Sequence, residues 1–205
     1  MVKTASTMLP LGTQMPSSQL DLVLGRNLSD DFQKKSLTLS KSMLLEKPIL
    51  LMVICAHCPF VKHIEIGVTQ LEEEFGERIQ MIAISSNSLI THPQDGPDYL
   101  ARQANEHGWK FPYLLDQDQE LAKALKAACT PDFFLFSPLL TGQQELQYRG
   151  QLDGSRPGND IPVTGEDLRY AMKKVLNLEP VDNEQKPSIG CNIKWHPGKE
   201  PDWFG

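Results

Sequence analysis

The chain has 205 residues, 40% of them hydrophobic, and a formal net charge of −6, which suits one folded domain with an appended segment better than two complete domains. No basic cluster interrupts the acidic balance, so neither nucleic acid nor an anionic membrane is expected as a main partner. The longest apolar run, residues 49–55, is far too short to cross a bilayer, and residues 1–20 hold no continuous apolar stretch of the secretory kind, so a cytoplasmic protein is expected.

Residues 1–18, rich in Ser, Thr, Pro and Met, read as a flexible or edge-lying segment ahead of a domain spanning 19–178. Leu20, Leu22 and Leu24 alternate with Asp21 and Val23 as in a weak strand, and Gly25-Arg26-Asn27 supplies a turn. Residues 30–47 mix Ser, Lys and Leu without a clean period and are expected to be loop with at most a short helix. The run 49–54, after Pro48, is short and partly β-branched, the pattern of a strand buried on both faces. Beyond Pro59 the period changes: Val61, Ile64, Val68, Leu71 and Phe75 paint one face of a helix, with Glu65, Glu72, Glu73 and Glu74 on the other. Residues 78–86 form a second buried run, and strand, helix, strand at this spacing predicts a parallel βαβ unit.

A helix is predicted from Pro97 to before Gly108, a strand at 111–115 and a helix at 117–128. Strands at 133–136 and 144–148 flank a turn at Thr141-Gly142, close enough to pair antiparallel. A helix follows at 164–176 with Thr164 as its N-cap. The tail, 179–205, carries four prolines, Cys191, Trp195 and Trp203; these tryptophans and Trp109 are expected to pack the periphery. The order predicts an α/β fold, a central mixed β-sheet flanked by helices on both faces.

The chemistry gathers at Cys55-Ala56-His57-Cys58-Pro59, where the buried strand hands over to the helix. Unpaired amides and the positive dipole end of a helix start favour thiolate over thiol, which makes Cys55 the candidate attacker. Cys58, one turn further in, is placed to resolve a mixed disulfide on Cys55. Pro59 suits the first helical position because its missing N–H would have no intrahelical partner there. Such a junction is expected to expose and activate both thiols.

With that motif and Thr130-Pro131-Asp132-Phe133-Phe134 together, the sequence resembles the thioredoxin superfamily. More closely it resembles the redoxin branch that contains alkyl hydroperoxide reductase C and the thiol-specific antioxidants. The tail 187–195, with Cys191, is similar to the C-terminal signature of one subgroup of that branch. The resemblance implies a thioredoxin-like fold with Pro131 as the cis-proline facing the site and Thr130 presenting its backbone to a substrate strand. It implies a thiol–disulfide oxidoreductase working on protein thiols or disulfides, with another dithiol protein as electron donor and no cofactor. It also gives His57 the role of favouring the Cys55 thiolate, because oxidising members of the superfamily often carry histidine before the second cysteine.

Two rivals stand beside this reading. Peroxiredoxins resemble the chain through a Thr-x-x-Cys-Pro setting, which would make Cys58, or else Cys55, a peroxidatic cysteine; but Cys55 stands where their threonine belongs, and their arginine has no counterpart beside Pro131. Alternatively Cys55, Cys58, Cys129 and Cys191 together make a four-thiolate site for zinc or an iron–sulfur cluster, although the second CxxC such sites usually have is missing. Cys129 and Cys191 are otherwise candidates for additional redox thiols or for small core residues. Asp116, Asp118 and Asp153 read as turn and cap residues. The sequence names neither substrate nor oligomeric state.

Overall fold

A computed structural model describes residues 3–23, 35–39, 47–138 and 143–204. Its centre is β4 (Ile49–Val53), every residue of which is buried. α1 (Pro59–Phe75) follows and returns the chain to β5 (Gln80–Ser85), which pairs parallel to β4 with Leu51 opposite Ile82. On its other side β4 meets β8 (Asp132–Ser137) antiparallel, Leu51 opposite Phe134. The sheet extends from β8 to β9 (Glu145–Gly150), and from β5 through β6 (Tyr113–Leu115) to β2 (Ser18–Val23) and β3 (Lys35–Leu39). The seven-stranded order is β3-β2-β6-β5-β4-β8-β9, parallel at its centre and antiparallel outside.

Alternation along β4 divides the core in two. Leu50 and Met52 pack with Val61, Ile64, Val68 and Leu71 of α1 and with Leu168, Met172 and Val175 of α4 (Glu166–Leu176). Ile49, Leu51 and Val53 face the opposite way, onto Leu121 and Ala122 of α3 (Glu120–Ala124) and onto Ile193 and Trp195 of the tail. Each such side chain contributes about 1.5–3 kcal/mol on burial, so the strand holds both layers. α2 (Pro97–Glu106) closes the first layer with Leu100, Ala101 and Ala104. This is the thioredoxin-like layout, with helices on both faces.

Several expectations need correction. Residues 35–39 form a strand, not loop or helix: Ser36-Leu37-Thr38-Leu39 alternates, and β2 offers an antiparallel partner, Leu37 opposite Leu20. The expected turns at 25–27 and 141–142 and the rest of 30–46 lie outside the described residues. The helix of 117–128 shrinks to α3 because Gln119 and Lys126 both adopt positive φ, 64° and 49°. Gly165, at φ 68°, is the N-cap of α4 in place of Thr164, and Asp153 accepts hydrogen bonds from the amides of both residues.

The ends of the chain are structural. β1 (Lys3–Ala5), β10 (Ile189–Asn192) and β7 (Cys129–Thr130) form a second antiparallel sheet, β1-β10-β7. Of the two expectations for the first segment, flexible or edge-lying, the structure has the second: it holds an edge strand and buries Leu9 and Met15. Trp109 and Trp195 are core residues, not peripheral ones. Trp109 stacks between His107 and Phe111, and its indole N–H reaches Thr69 Oγ1 at 2.9 Å.

Candidate active site at the head of the first helix

β4 ends at Val53, the Ile54 amide still reaches the Ile84 carbonyl at 3.0 Å, and the backbone then turns through residues 55–58 into α1. Cys58 occupies the N-cap position with Pro59 directly after it. The Thr130–Pro131 peptide bond is cis and comes up beside this turn. The Thr130 hydroxyl lies 3.7 Å from Cys55 Sγ, and the Thr130 carbonyl oxygen lies 3.3 Å from Cys58 Sγ. The structure thereby brings together Cys55, His57, Cys58, Pro59, Thr130 and Pro131.

Cys58 contacts two other sulfurs. Hydrogen bonds from the Cys191 thiol first, and from the Cys55 thiol second, outweigh burial and hold Cys58 well below its ordinary value; Thr130 and the Val61 amide add to the effect. In its thiol form Cys58 donates to the Thr130 carbonyl; as a thiolate it accepts from its two cysteine neighbours. Cys55 moves the other way: burial pushes it up, and so do its bond to Cys58 and the Asp95 charge. Of the three, Cys58 ionises first. These surroundings favour the thiolate on Cys58, which has the helix start, where the sequence points to Cys55, which follows the strand end beside a carboxylate.

His57 stands between Asp95 and Cys55 and is within reach of both. Its Nδ1 lies 2.5 Å from Asp95 Oδ2 but 3.9 Å from Cys55 Sγ, and its ring stacks on His92 with centroids 5.2 Å apart. Asp95, fully buried in a short 3-10 turn (Pro93–Asp95), also accepts from the Ala56 and His57 amides at 3.0 and 3.1 Å and from Asn87 Nδ2 at 2.8 Å. Burial alone would raise this carboxyl; the bonds from His57 and Asn87 outweigh it and hold it below 3.8. Asp95 thus fixes the shape of the turn between the cysteines. Gln103 holds its near side, donating to the Cys55 carbonyl at 3.2 Å and to Glu65 while accepting from the Tyr113 hydroxyl. Sequence reading missed both residues, because they meet the turn from 38 and 48 positions away and no local motif marks them.

The four cysteines do not converge. Cys129 precedes Thr130 on β7, so its side chain faces the other way; it contacts the Pro131 and Ser188 carbonyls, and burial raises its pKa. The four-thiolate reading therefore lacks its geometry. Among the described residues, the one His, Cys, Asp or Glu group with ligand atoms all within 4.8 Å is Cys55, His57 and Asp95. Its carboxylate is already committed to four hydrogen-bond donors.

Access also differs from expectation. Cys55 and Cys58 are fully buried, and Cys191 is 4% exposed, because β10 lies across the junction. A cleft of about 640 Å³ opens beside them, lined by His57, Pro59, His92, Cys191, Lys194 and Phe204 among others, but not by Cys55 or Cys58. No helix among the described residues is long and apolar enough to cross a membrane.

A cysteine pair at a strand-to-helix junction, a cis-proline beside it and a mixed sheet beneath define a thioredoxin-like redox fold. Residues 11–149 match the AhpC/TSA family, and the chain belongs to it. The structure of an uncharacterized conserved protein from Geobacillus kaustophilus is 42% identical with TM-score 0.85, covering 97% of this chain and 98% of that one. A hypothetical protein from Sinorhizobium meliloti 1021 is 36% identical with TM-score 0.84, covering 95% and 100%. Mycobacterium tuberculosis AhpC shares the fold at 21% identity and TM-score 0.56, over 81% and 92%. Comparison with curated proteins found no match. Family membership supports a thiol redox function.

Proposed function

We propose that the chain is a thiol–disulfide oxidoreductase in which Cys58 attacks and Cys55 completes the disulfide. The carrying observation is the hydrogen-bond contact between these two sulfurs, with Cys58 favoured as thiolate, beside cis-Pro131. Cys58 attacks one sulfur of a partner disulfide and expels the other as thiolate. Cys55 then gives up its proton and attacks Cys58 Sγ, releasing the second partner thiol; two electrons have passed to the partner, and Cys55–Cys58 is oxidised. The reverse sequence oxidises a partner dithiol. Both electrons reside on sulfur, so no cofactor is needed, and a second dithiol protein is the natural donor. A cytoplasmic setting belongs to this reading.

A stabilised Cys58 thiolate favours the reduced form and makes the disulfide the more oxidising. Equilibration with glutathione buffers is the test: the expected potential lies above that of thioredoxin, about −270 mV. A potential at or below that value, or no Cys55–Cys58 couple at all, would overturn the proposal.

Burial supports a second reading, a thiol peroxidase, since a hydroperoxide reaches a covered sulfur more easily than a protein does. Against it, the first two arginines that follow β8 are engaged elsewhere: Arg149 with the Leu9 carbonyl and Gln185, Arg156 with the Asp153 carbonyl and Gln151. Peroxide turnover without activity on a model disulfide would reverse the order.

A further inference from the structure

Beside Pro131, where an incoming substrate strand is expected, the chain lays its own. β10 runs antiparallel to β7 with Cys191 opposite Thr130 and Asn192 opposite Cys129. β1 covers the outer edge of β10, with Lys3 opposite Cys191. The approach is so close that Gly190 leaves no space for a side chain against Thr130. The result is that Cys191 contacts Cys58, the same sulfur that contacts Cys55. Cys191 also lines the open cleft, which neither of the other two does.

We infer that Cys191 is a third redox thiol, a substrate cysteine built into the chain, which takes the disulfide from Cys55–Cys58 and presents it to the cleft. The inference rests on the reading of Cys55 and Cys58 as a redox pair. In the first step the Cys191 thiol loses its proton and attacks Cys58 Sγ. The Cys58–Cys191 bond forms, the Cys55–Cys58 bond breaks, and Cys55 leaves with the electron pair and takes up a proton; no external oxidant is consumed. In the second step a thiol of an incoming dithiol, entering by the cleft, attacks Cys191 Sγ and expels Cys58 as thiolate. The second thiol of that donor then frees Cys191 and leaves the donor oxidised. The acidities suit the second step, in which Cys58, lowered by its neighbours, is the better leaving group, while Cys55, raised by burial, takes up and keeps the proton that ends the first.

The test uses full-length protein oxidised with diamide, blocked with N-ethylmaleimide, digested without reductant and mapped by mass spectrometry. A Cys58–Cys191 peptide pair is expected in the wild type and in Cys55→Ser. If Cys191 is alkylated in both while wild type shows Cys55–Cys58, the inference falls and the redox pair stands. If Cys58–Cys191 forms but Cys191→Ser makes no Cys55–Cys58 bond, Cys191 is supported as a redox thiol while the transfer from Cys55–Cys58 and the functional reading both fall. Neither linkage overturns both. Oxidised Cys191→Ser is further expected to be reduced by dithiothreitol at least about tenfold more slowly than wild type, since its disulfide no longer faces the cleft. An equal rate would remove the exit role.

Discussion

Gly190 lies flat against Thr130: a Cβ on the glycine would sit 2.0 Å from the Thr130 carbonyl oxygen. Backbone cannot yield as the tip of a flexible side chain can, so this contact fixes how closely β10 lies over the cysteine pair. Gly190→Ala is therefore expected to prise β10 from β7 at a cost of about 1–3 kcal/mol in urea unfolding, the usual range for overpacking. The same variant should speed alkylation of Cys58 by about tenfold or more as its cover opens more often. Lost stability without faster alkylation would show that β10 is not what shields the site.

The order of acidity among the three contacting sulfurs is open to direct measurement. Thiolate ultraviolet absorbance is expected to persist in the reduced protein well below the ordinary thiol value of 9.0 and to vanish in Cys58→Ala. Both Cys191→Ala and Cys55→Ala should move that titration upward, toward the ordinary thiol value of 9.0, and Cys191→Ala should move it further because its thiol is the larger contributor. A titration that survives Cys58→Ala and disappears in Cys55→Ala would return the attacking role to Cys55.

Much of this was legible in the sequence where the signal was local. The run at 49–54, the period change after Pro59 and the Thr130-Pro131 pair were enough to place β4, α1 and the cis-proline loop around a CxxC. What escaped was set by contacts between distant segments. Ile189-Gly190-Cys191-Asn192 has no alternating pattern, and only its pairing with Thr130 and Lys3 makes it a strand. Asp95 sits in a Pro/Gly-rich loop that reads as a turn, and its buried bonds to residues 56, 57 and 87 have no counterpart in local spacing. The proposed thiolate on Cys58 has the same origin: the donor that most favours it comes from the far end of the chain.

Asp95 organises the active-site turn, and its removal has a pH signature. Its carboxyl is depressed in the folded state, so the stability it contributes is present above the unfolded value of 3.8 and is lost as pH falls through the lower folded one. Asp95→Asn is expected to cost about 3 kcal/mol at pH 7, since two amides, Asn87 and His57 lose a charged acceptor. The gap between variant and wild type should narrow below pH 3.8 in urea unfolding curves. The variant should also lower the Cys55 pKa, because the Asp95 charge raises it now. A penalty that does not change with pH would mean that shape, not charge, is what Asp95 supplies.

Asp132, directly after the cis-proline, presents the opposite case. It is buried on β8; its Oδ1 accepts from the Phe133 amide at 3.2 Å, while Oδ2 has no hydrogen-bond partner among the described residues. Burial raises its pKa well above 3.8, more than the Ser188 hydroxyl and the Phe133 amide can offset. A raised carboxyl gives stability that is fully present below the unfolded value and is lost as pH rises through the folded one. Asp132→Asn removes that loss while keeping the shape, because a neutral amide has no ionised form to bury. The variant is expected to match wild type near pH 4 and to exceed it by about 1–3 kcal/mol at pH 8, the scale of one unsatisfied buried polar group. Urea unfolding at both values decides it: an asparagine variant less stable at pH 8 would show that the ionised carboxylate has a partner and a task in the folded protein, most directly beside Cys129, whose thiol its charge pushes up.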